Sequence, residues 1–291
     1  MLFNPDLPLL GRLVHSLIGQ VAKIYIVDNS PISHESFVSS LDCNQARIVY
    51  LPLGDNIGIA AAQNIGISRG MRDGCSHVLL LDQDSSLPPD MVQKQLAAEQ
   101  RLLENGEQVA AVGPIFIDEK TGQYPRAVRR LIQRTRAVHL EKTGDAGSAD
   151  WLMASGLLIR STTLSAVGLM REDLFIDLVD TEWGLRAKMR GYTSFMLPDV
   201  RMLHSTGDSA THVFGREIFL HSDVRHYYIV RNSIYLLRDR NMRIGWKAVT
   251  AAKIPSYILV YSLYSDHQLK AVSLLCRAVI HGCLGKLGRL N

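Results

Sequence analysis

Cysteines are few in this sequence, and a long apolar run is absent. The four cysteines form no CxxC pair and show no metal-site spacing, which predicts free thiols in a reducing cytoplasm. No secretory signal peptide is recognised before them. The nearest approach to a spanning segment, Ile254 to Tyr264, is too short to cross a bilayer, so no transmembrane helix is predicted.

Acidic residues are scarce in two stretches of a chain whose net charge is +4. Residues 120–142 contain seven lysines and arginines against Glu141 alone, and no acidic residue follows His267. Such stretches suit phosphorylated ligands or an anionic lipid surface, although solvated faces are commoner. We expect no nucleic-acid partner.

Strand-like and helical patterns alternate through the first two thirds of the chain. Apolar β-type runs occur at 23–27, 46–51, 78–81, 109–117, 157–160 and 194–197, and helical patterns at 6–19, 56–72 and 89–105. This alternation predicts an α/β fold with a mostly parallel central sheet and helices on both faces. Strand patterns stop after about residue 210, so we predict one domain over 1–210 and a helical carboxyl-terminal region over 211–291.

The amino terminus departs from the usual order of such a fold. A doubly wound domain normally starts with a buried central strand, but Met1 to Pro5 leads directly into a helical pattern. We therefore expect the first strand to be reduced to a few residues.

Two carboxylates follow a buried strand. Val78 to Leu81 run directly into Asp82-Gln83-Asp84, and serines and prolines come next. Carboxylate oxygens suit Mg²⁺ or Mn²⁺, and open α/β sheets bind ligands at the carboxyl ends of their strands. A divalent ion held by Asp82 and Asp84 would neutralise a diphosphate. An Asx turn that closes the strand is the plainer alternative.

Two earlier segments could accept a nucleotide. An apolar run ends at Asp28, whose carboxylate is placed to accept hydrogen bonds from a base or ribose, or simply to form a turn. Asn56 is a candidate N-cap, and the small residues after it leave a slim helix flank for a flat ligand. Tight packing of that helix on the sheet is the alternative.

Three acidic residues, Asp177, Asp180 and Glu182, lie inside one six-residue stretch of an otherwise apolar segment. Helical residues turn by about 100° each, so Asp180 and Glu182 point to nearly opposite faces. Asp180, at the helix start, is the better candidate for a general base, and Glu182 for capping or ion pairing. A role of Asp180 as an N-cap alone is the alternative.

Two later segments add candidate ligands. His204 stands beside small turn residues, an arrangement found in metal or phosphate sites, although a lone histidine is more often structural. The helical segment RHYYIVRN contains Tyr228 and Arg231, residue types that can grip a phosphate or stack on a ring. A packed helix with a salt bridge is the equally plain alternative.

Six segments, taken in order, resemble the family 2 glycosyltransferases of the GT-A fold. They are VDNS, NIGIAAAQNIGI, LLLDQDS, FIDLVDTEWGLRA, HSTGD and RHYYIVRN. The likeness is greatest to bacterial rhamnosyltransferases that build O-antigen and other surface polysaccharides, and it extends over essentially the whole chain. DQDS followed about a hundred residues later by VDTEW is its most specific element.

The resemblance implies a role for each matching position. Asp180 would be the catalytic base, and the metal would be held by Asp82 and Asp84 with His204 close by. The nucleotide-sugar contacts would be Phe3, Asn4, Asp28, Asn56, Gly58, Asn64 and Asp82. Contacts to the acceptor or to phosphate would be Glu182, Trp183, Tyr228 and Arg231. Family members have several more apolar residues before the Phe3 position, so the first strand looks truncated.

The resemblance also implies a reaction, an inverting transfer of L-rhamnose from dTDP-β-L-rhamnose with Mg²⁺ or Mn²⁺ as cofactor. We expect a lipid-diphosphate-linked glycan as acceptor, and a cytoplasmic protein held peripherally at the inner membrane by basic helices that include Lys270 to His281. One rival is a related enzyme that uses UDP-galactofuranose or a UDP-hexose. The other is an inactive, membrane-docked scaffold, against which the intact carboxylates argue.

Overall fold

The computed structural model describes residues 1–41, 47–118, 146–204, 209–213, 216–220 and 222–290. The basic stretch at 120–142 and Cys43 lie outside these residues. The cysteines inside them, Cys75, Cys276 and Cys283, are free thiols, as predicted.

Helices and strands alternate up to about residue 204, and three long helices end the chain. The strands are β1 (Lys23–Asp28), β2 (Arg47–Pro52), β3 (His77–Leu80), β4 (Val109–Asp118), β5 (Gly147–Ala149), β6 (Leu157–Arg160), β7 (Thr193–His204), β8 (Ser209–Val213) and β9 (Arg216–Leu220). The helices are α1 (Leu7–Leu17), α2 (Glu35–Ser40), α3 (Ile59–Arg72), α4 (Met91–Glu104), α5 (Ser161–Val167), α6 (Val179–Met189), α7 (Asp223–Leu236), α8 (Ile244–Tyr264) and α9 (Gln268–Leu284).

The strands of the described residues form three sheets. β1 and β2 pair in parallel, and β3, β6, β4, β7 and β5 form a mixed sheet in that order. β3, β4 and β7 run in one direction there, because β6 is antiparallel to both β3 and β4 while β7 is parallel to β4. The α/β class with a helical carboxyl-terminal region is confirmed. The reversed strands β5 and β6 make the large sheet less uniformly parallel than the alternation indicated.

A hairpin of β8 and β9 lies where strand patterns were expected to stop. Its two five-residue strands, SATHV and REIFL, mix polar and apolar residues, so their period-two pattern is weak. The boundary predicted after residue 210 falls inside β8.

The first helix shows how sequence produces the fold locally. Asp6 accepts a hydrogen bond from the Leu9 amide as N-cap at 3.0 Å, and proline near the helix start suits a position that needs no donor. Its apolar face buries Leu10, Leu13, Val14 and Leu17. Each such side chain stabilises the fold by roughly 1.5–3 kcal/mol.

The carboxyl-terminal helices pack on the segment that precedes α6. Phe175 joins Tyr227, Tyr228, Leu275 and other residues in a buried cluster. At Gly282, an added Cβ would lie 2.7 Å from the Arg231 carbonyl oxygen, so a glycine is needed for α9 to approach α7 closely.

Among the helices of the described ranges, none combines the length and the apolar content that crossing a bilayer requires.

Candidate active site

The amino-terminal residues link the carboxyl ends of β1 and β3. The Phe3 amide donates to Gln83 Oε1 at 2.8 Å, and Gln83 Nε2 donates to the Phe3 carbonyl at 3.2 Å. The Asn4 amide donates to Ser30 Oγ at 2.8 Å. The structure therefore brings Phe3 and Asn4 next to the DQD segment and the end of β1, at the sheet edge where α/β folds bind ligands.

Asp28 is buried and holds the turn that follows β1. Its Oδ2 accepts from the Tyr50 hydroxyl at 2.6 Å and from the His34 amide at 3.2 Å, and its Oδ1 accepts from the Ser30 amide at 3.1 Å. Burial raises the pKa of Asp28, but the hydrogen bonds from Tyr50, Ser30 and His34 outweigh burial and lower that pKa below its usual value. Contact of Asp28 with a base or ribose stays a prediction.

The loop before α3 is shaped by two asparagines and a glycine. Asn29 Nδ2 donates to Asn56 Oδ1 at 2.9 Å, and Asn56 Oδ1 also accepts from the Gly58 amide at 3.0 Å. Gly58 has φ +93°, and an added Cβ would lie 2.6 Å from Phe175 Cδ2. A glycine is needed there, because it lets the loop touch the segment that leads to Asp180.

The side chain of Asn64 is buried and hydrogen-bonded inside the protein. Its amide nitrogen donates to the Met170 carbonyl and to Glu172 Oε1, both at 2.8 Å, and its Oδ1 accepts from the Met170 amide at 2.9 Å. The residue is 5 % exposed. These contacts favour a role in fastening α3 to residues 170–172 over the predicted nucleotide contact.

Asp82 and Asp84 lie in the turn after β3, as predicted. Ser155 Oγ accepts from the Asp82 amide at 3.3 Å and is 2.6 Å from Ser85 Oγ, so residue 155 helps to fix the turn. No group of three or more His, Cys, Asp or Glu residues is arranged as a metal site within the described part of the chain. The side chain of His204 lies outside that part, so its predicted role stays a prediction.

Asp180 is the second residue of α6 and is only partly exposed. Its Oδ1 accepts from the Thr181 amide at 2.7 Å, and the Ala154 amide donates to it as well. Burial raises the pKa of Asp180 to about 6, and the negative charges of Asp82 and Asp177 contribute to the rise. The charge of Asp82 therefore lies near enough to influence Asp180.

The backbone before α6 is strained. Phe175, Asp177 and Leu178 have φ of 65°, 63° and 61°, the left-handed region that non-glycine residues rarely adopt. Asn232 Nδ2 donates to the carbonyls of Ile176 at 2.8 Å and of Asp177 at 3.0 Å. Such strain persists only where surrounding contacts enforce it, and it concentrates at functional sites.

The four residues predicted to contact acceptor or phosphate are all at most 3 % exposed: Glu182, Trp183, Tyr228 and Arg231. Glu182 pairs with Arg186 at 2.8 Å, and Trp183 Nε1 donates to the Gly168 carbonyl at 2.8 Å. Tyr228 accepts from the Leu290 amide, and Arg231 donates to the Leu174 carbonyl. Their burial and internal partners favour structural roles over contact with an acceptor.

Asp180 and Glu182 do lie in different surroundings, as the helical spacing indicated. Glu182 is 1 % exposed and paired with Arg186, whereas Asp180 is partly exposed and its pKa is raised by burial and by the charges of Asp82 and Asp177.

Sequence reasoning missed the residues that connect the site. Gln83 ties Phe3 to the DQD turn, and Ala154 and Ser155 connect the Asp180 and Asp82 regions. Asn232 holds the strained segment. The ASG sequence at 154–156 was a usable turn signal, but no local pattern reveals which distant strands such a turn joins.

The arrangement combines a carboxylate of raised pKa, two carboxylates after a strand and a polar loop at one sheet edge. Carboxylates gathered at this edge of an α/β sheet are the arrangement expected of a glycosyltransferase of the GT-A fold. Residues 2–154 match the family described as Glycosyl transferase family 2. The chain belongs to that family.

A curated relative, the dTDP-rhamnosyl transferase RfbF of Shigella flexneri, is 32 % identical over 242 residues, which cover 82 % of this chain and 79 % of the relative. Residues 1–349 of TarS from S. aureus superpose with a TM-score of 0.59 at 12 % identity, covering 96 % of this chain and 79 % of that one. GalNAc-T7, solved with UDP, GalNAc and Mn²⁺, gives a TM-score of 0.57 at 12 % identity, with coverage of 94 % and 52 %. These two structures are similar in fold.

Proposed function

We propose that this glycosyltransferase transfers L-rhamnose from dTDP-β-L-rhamnose to a glycan acceptor in the synthesis of O-antigen or a related bacterial surface polysaccharide. The observation that carries the donor assignment is the 32 % identity, over most of both chains, to a dTDP-rhamnosyl transferase. The glycosyltransferase activity itself follows from the family and does not depend on this choice of sugar.

Asp180 is the base in this proposal. A carboxylate Oδ of Asp180 takes the proton of an acceptor hydroxyl as that oxygen attacks the anomeric carbon. The bond from the anomeric carbon to the diphosphate oxygen breaks, and its electron pair leaves with dTDP. Attack from the face opposite the leaving group inverts the configuration. A pKa of about 6 leaves Asp180 mostly ionised near neutral pH while keeping it a better proton acceptor than an ordinary aspartate.

Asp82 and Asp84 would hold Mg²⁺ or Mn²⁺. Two carboxylates separated by one residue after a strand are hard oxygen donors, and Ser155 helps to fix the turn that presents them. When bound, the ion would neutralise charge on the diphosphate and on the departing dTDP. His204 is proposed to stand near it.

The nucleotide would lie over Phe3, Asn4 and the loop at Asn56 and Gly58. Phe3 is 41 % exposed, while its backbone amide and carbonyl are both hydrogen-bonded to Gln83. It is therefore free to stack on a base or ribose. Asp28 would act chiefly by holding the turn beneath the nucleotide.

The acceptor is proposed to be a lipid-diphosphate-linked glycan at the inner face of the membrane, with the protein cytoplasmic and peripheral. Support comes from α8 and α9. No residue of α8 is buried, and apolar side chains of the two helices are open to solvent, among them Leu259, Leu263 and Leu269 at 61 %, 57 % and 89 % exposure. Lys270, which follows Leu269 in the chain, is also exposed. Apolar side chains next to basic ones suit an anionic lipid interface.

A donor panel tests the proposed sugar. The purified protein is given dTDP-β-L-rhamnose, UDP-galactofuranose and UDP-hexoses with Mg²⁺ or Mn²⁺, and slow donor hydrolysis as well as transfer to lipid-linked glycans is measured. We expect dTDP-rhamnose to be consumed at least about tenfold faster than any UDP sugar. Faster consumption of a UDP sugar would overturn the donor assignment and leave the glycosyltransferase class intact.

A further inference from the structure

Residues 286–290, here named the post-α9 segment, contact two other parts of the proposed site. Gly285 ends α9 with φ +70°, the left-handed conformation in which a glycine is common after a helix. The chain then contacts the loop before α3, at residues 53–58, and the segment before α6, at residues 173–178. Both of those parts carry or adjoin residues to which a role in transfer is assigned above.

The backbone of the post-α9 segment is fixed on both sides of Arg289. On one side, the Gly288 amide donates to the Asp173 carbonyl at 2.8 Å. On the other side, the Leu290 amide donates to the Tyr228 hydroxyl at 2.7 Å. These hydrogen bonds fasten the segment to the region before α6 and to α7, so the backbone that carries Arg289 is well positioned.

The side chain of Arg289 reaches the loop before α3. Its Nη1 donates to Asp55 Oδ1 at 2.8 Å and to Asp55 Oδ2 at 2.7 Å. Asp55 Oδ1 also accepts from the Asn56 amide at 2.7 Å, and Asn56 Oδ1 accepts from the Gly58 amide. Arg289 is therefore connected, through one carboxylate, to the two residues over which the nucleotide is proposed to lie.

The three parts are joined to one another in a closed ring. The Gly288 amide joins the post-α9 segment to the region before α6, and the Ile59 amide joins the loop to the Phe175 carbonyl at 2.7 Å. Both of these connections are backbone hydrogen bonds. The third connection is the ion pair of Arg289 and Asp55, whose side chains are 52 % and 57 % exposed. The ring therefore opens most easily at this pair.

We propose that Arg289 is a positioning residue for glycosyl transfer, because its pair with Asp55 holds the loop before α3 where the nucleotide binds. This role rests on the proposed function, which places the nucleotide at Asn56 and Gly58. With the pair open, only a fraction of molecules holds the loop in place, and the apparent donor affinity falls by that fraction. Asp180 keeps its backbone supports, so turnover of bound donor changes little.

A double-mutant cycle tests the pair, with kcat and donor KM measured for the wild type, Arg289→Ala, Asp55→Asn and the double variant. Asparagine at position 55 keeps an oxygen for the Asn56 amide. Each single change should raise donor KM about threefold to fivefold and change kcat less than twofold. The double variant should resemble either single variant, because all three lack the same pair. Arg289→Lys should restore most of the affinity.

The pair of Lys94 and Asp90 supplies a matched control. Its atoms lie 2.7 Å apart and its side chains are 47 % and 50 % exposed, close to the values for Arg289 and Asp55. Lys94→Ala should leave donor KM unchanged. Exposed ion pairs contribute little to global stability, so the unfolding midpoints of Lys94→Ala and Arg289→Ala should both stay close to that of the wild type.

A second measurement needs no donor. The Ile57 and Gly58 amides are each bonded to an asparagine side chain, and their hydrogen exchange reports the opening of the loop. Exchange at both amides should be about threefold faster in Arg289→Ala and unchanged in Lys94→Ala.

Three results would overturn the proposal. Unchanged exchange with a raised KM would mean that Arg289 contacts the donor itself, and an unchanged KM would mean that the loop does not position the donor. Fully additive effects in the double variant would mean that Arg289 and Asp55 act separately. KM is measured with whichever nucleotide sugar the wild type consumes, so a wrong choice of sugar refutes the donor assignment and leaves this test intact.

Discussion

At the scale of single residues, surroundings divide similar carboxylates into different roles. Asp28 accepts several hydrogen bonds and has a lowered pKa, which suits a permanently charged structural anchor. Glu182 forms a buried ion pair with Arg186. Asp180 lies near other negative groups and has the raised pKa expected of a base. The residue type alone would not have separated them.

The proposed role of Asp180 as the base predicts how the rate of transfer depends on pH. The base must be ionised, and its pKa is raised to about 6, so kcat/KM should rise about tenfold per pH unit below that value and level off above it. A cation bound at Asp82 would reduce the repulsion and move the midpoint lower. The rate is measured from pH 4.5 to 8 under saturating metal. A flat profile through pH 5 to 7 would contradict the assignment.

The raised pKa also predicts a stability effect. Ionising Asp180 costs more in the folded than in the unfolded chain, so its contribution to stability falls as pH rises from about 4 toward 6. An Asp180→Asn variant avoids that cost, and at pH 7.5 it should unfold at a denaturant concentration equal to or above that of the wild type. A clearly lower midpoint would mean that the carboxylate stabilises the fold.

The proposed role of Asp84 as a metal ligand predicts how transfer depends on metal. Asp84→Ala should reduce transfer by about 10²-fold or more, because a carboxylate ligand of the cation is lost, and added Mn²⁺ should restore little. Asp90→Ala is the matched control, since Asp90 is an exposed acid shortly after the same turn, paired with Lys94. EDTA should abolish activity of the wild type and of the control. Full activity of Asp84→Ala would refute the metal assignment.

At the scale of elements, the loop before α3 and the strained segment before α6 support each other. The Ile59 amide donates to the Phe175 carbonyl at 2.7 Å, and Gly58 gives the clearance for that contact. Asn232 of α7 supports the segment from the other side. The position of Asp180 therefore depends on α3 and α7 as well as on its own helix.

Gly58→Ala and Gly54→Ala form a matched pair that tests this contact. Both glycines have positive φ, at +93° and +71°, but only at Gly58 would a Cβ meet Phe175, while Gly54 has open space. Both changes should cost about 1 kcal/mol for the backbone. Gly58→Ala should cost about 1–3 kcal/mol more and lower kcat. Equal unfolding free energies for the two variants would show that the loop does not need the close approach.

Helices and strands were predicted well where the apolar residues follow one clear pattern. They were predicted poorly where contacts between distant parts of the chain determine the structure. The β6 range was predicted without error because three consecutive apolar residues, Leu-Leu-Ile, follow a glycine there. The residues that connect the site, such as Gln83 and Asn232, could not be predicted because their partners lie 80 and about 56 positions away in the chain. Asn64, Trp183 and Arg231 lie on buried sides of their helices. Their residue types alone did not predict that burial.

At the scale of the whole molecule, the helical end of the chain has two surfaces. One packs on the segment before α6 through Tyr227, Leu275 and Ala278. The other exposes apolar side chains of α8 and α9. Arg289, part of the acid-free tail, is paired with Asp55 at 2.7 Å. It therefore adds less positive charge to the surface than the acid-free sequence around it indicated.

Binding to lipid vesicles tests that second surface. The protein should sediment with anionic vesicles and be partly released at 1 M salt, where screening reduces the reach of charges to about 3 Å. Lys270→Glu should weaken binding, whereas Lys94→Glu, an exposed lysine of α4, should not. Equal binding of wild type and Lys270→Glu to neutral and anionic vesicles would contradict the electrostatic part of the proposal.

The central claim is that Asp180 is the base, and the transfer rate of the Asp180→Asn variant tests it most directly. Asparagine keeps the size and the helix-start position but removes the proton acceptor, so transfer should fall by about 10²-fold or more while dTDP-sugar binding, measured by calorimetry, changes little. Glu182→Gln, which breaks the pair with Arg186, should instead lower stability and leave most of the turnover. If Glu182→Gln abolishes transfer while Asp180→Asn remains nearly fully active, Asp180 is not the base.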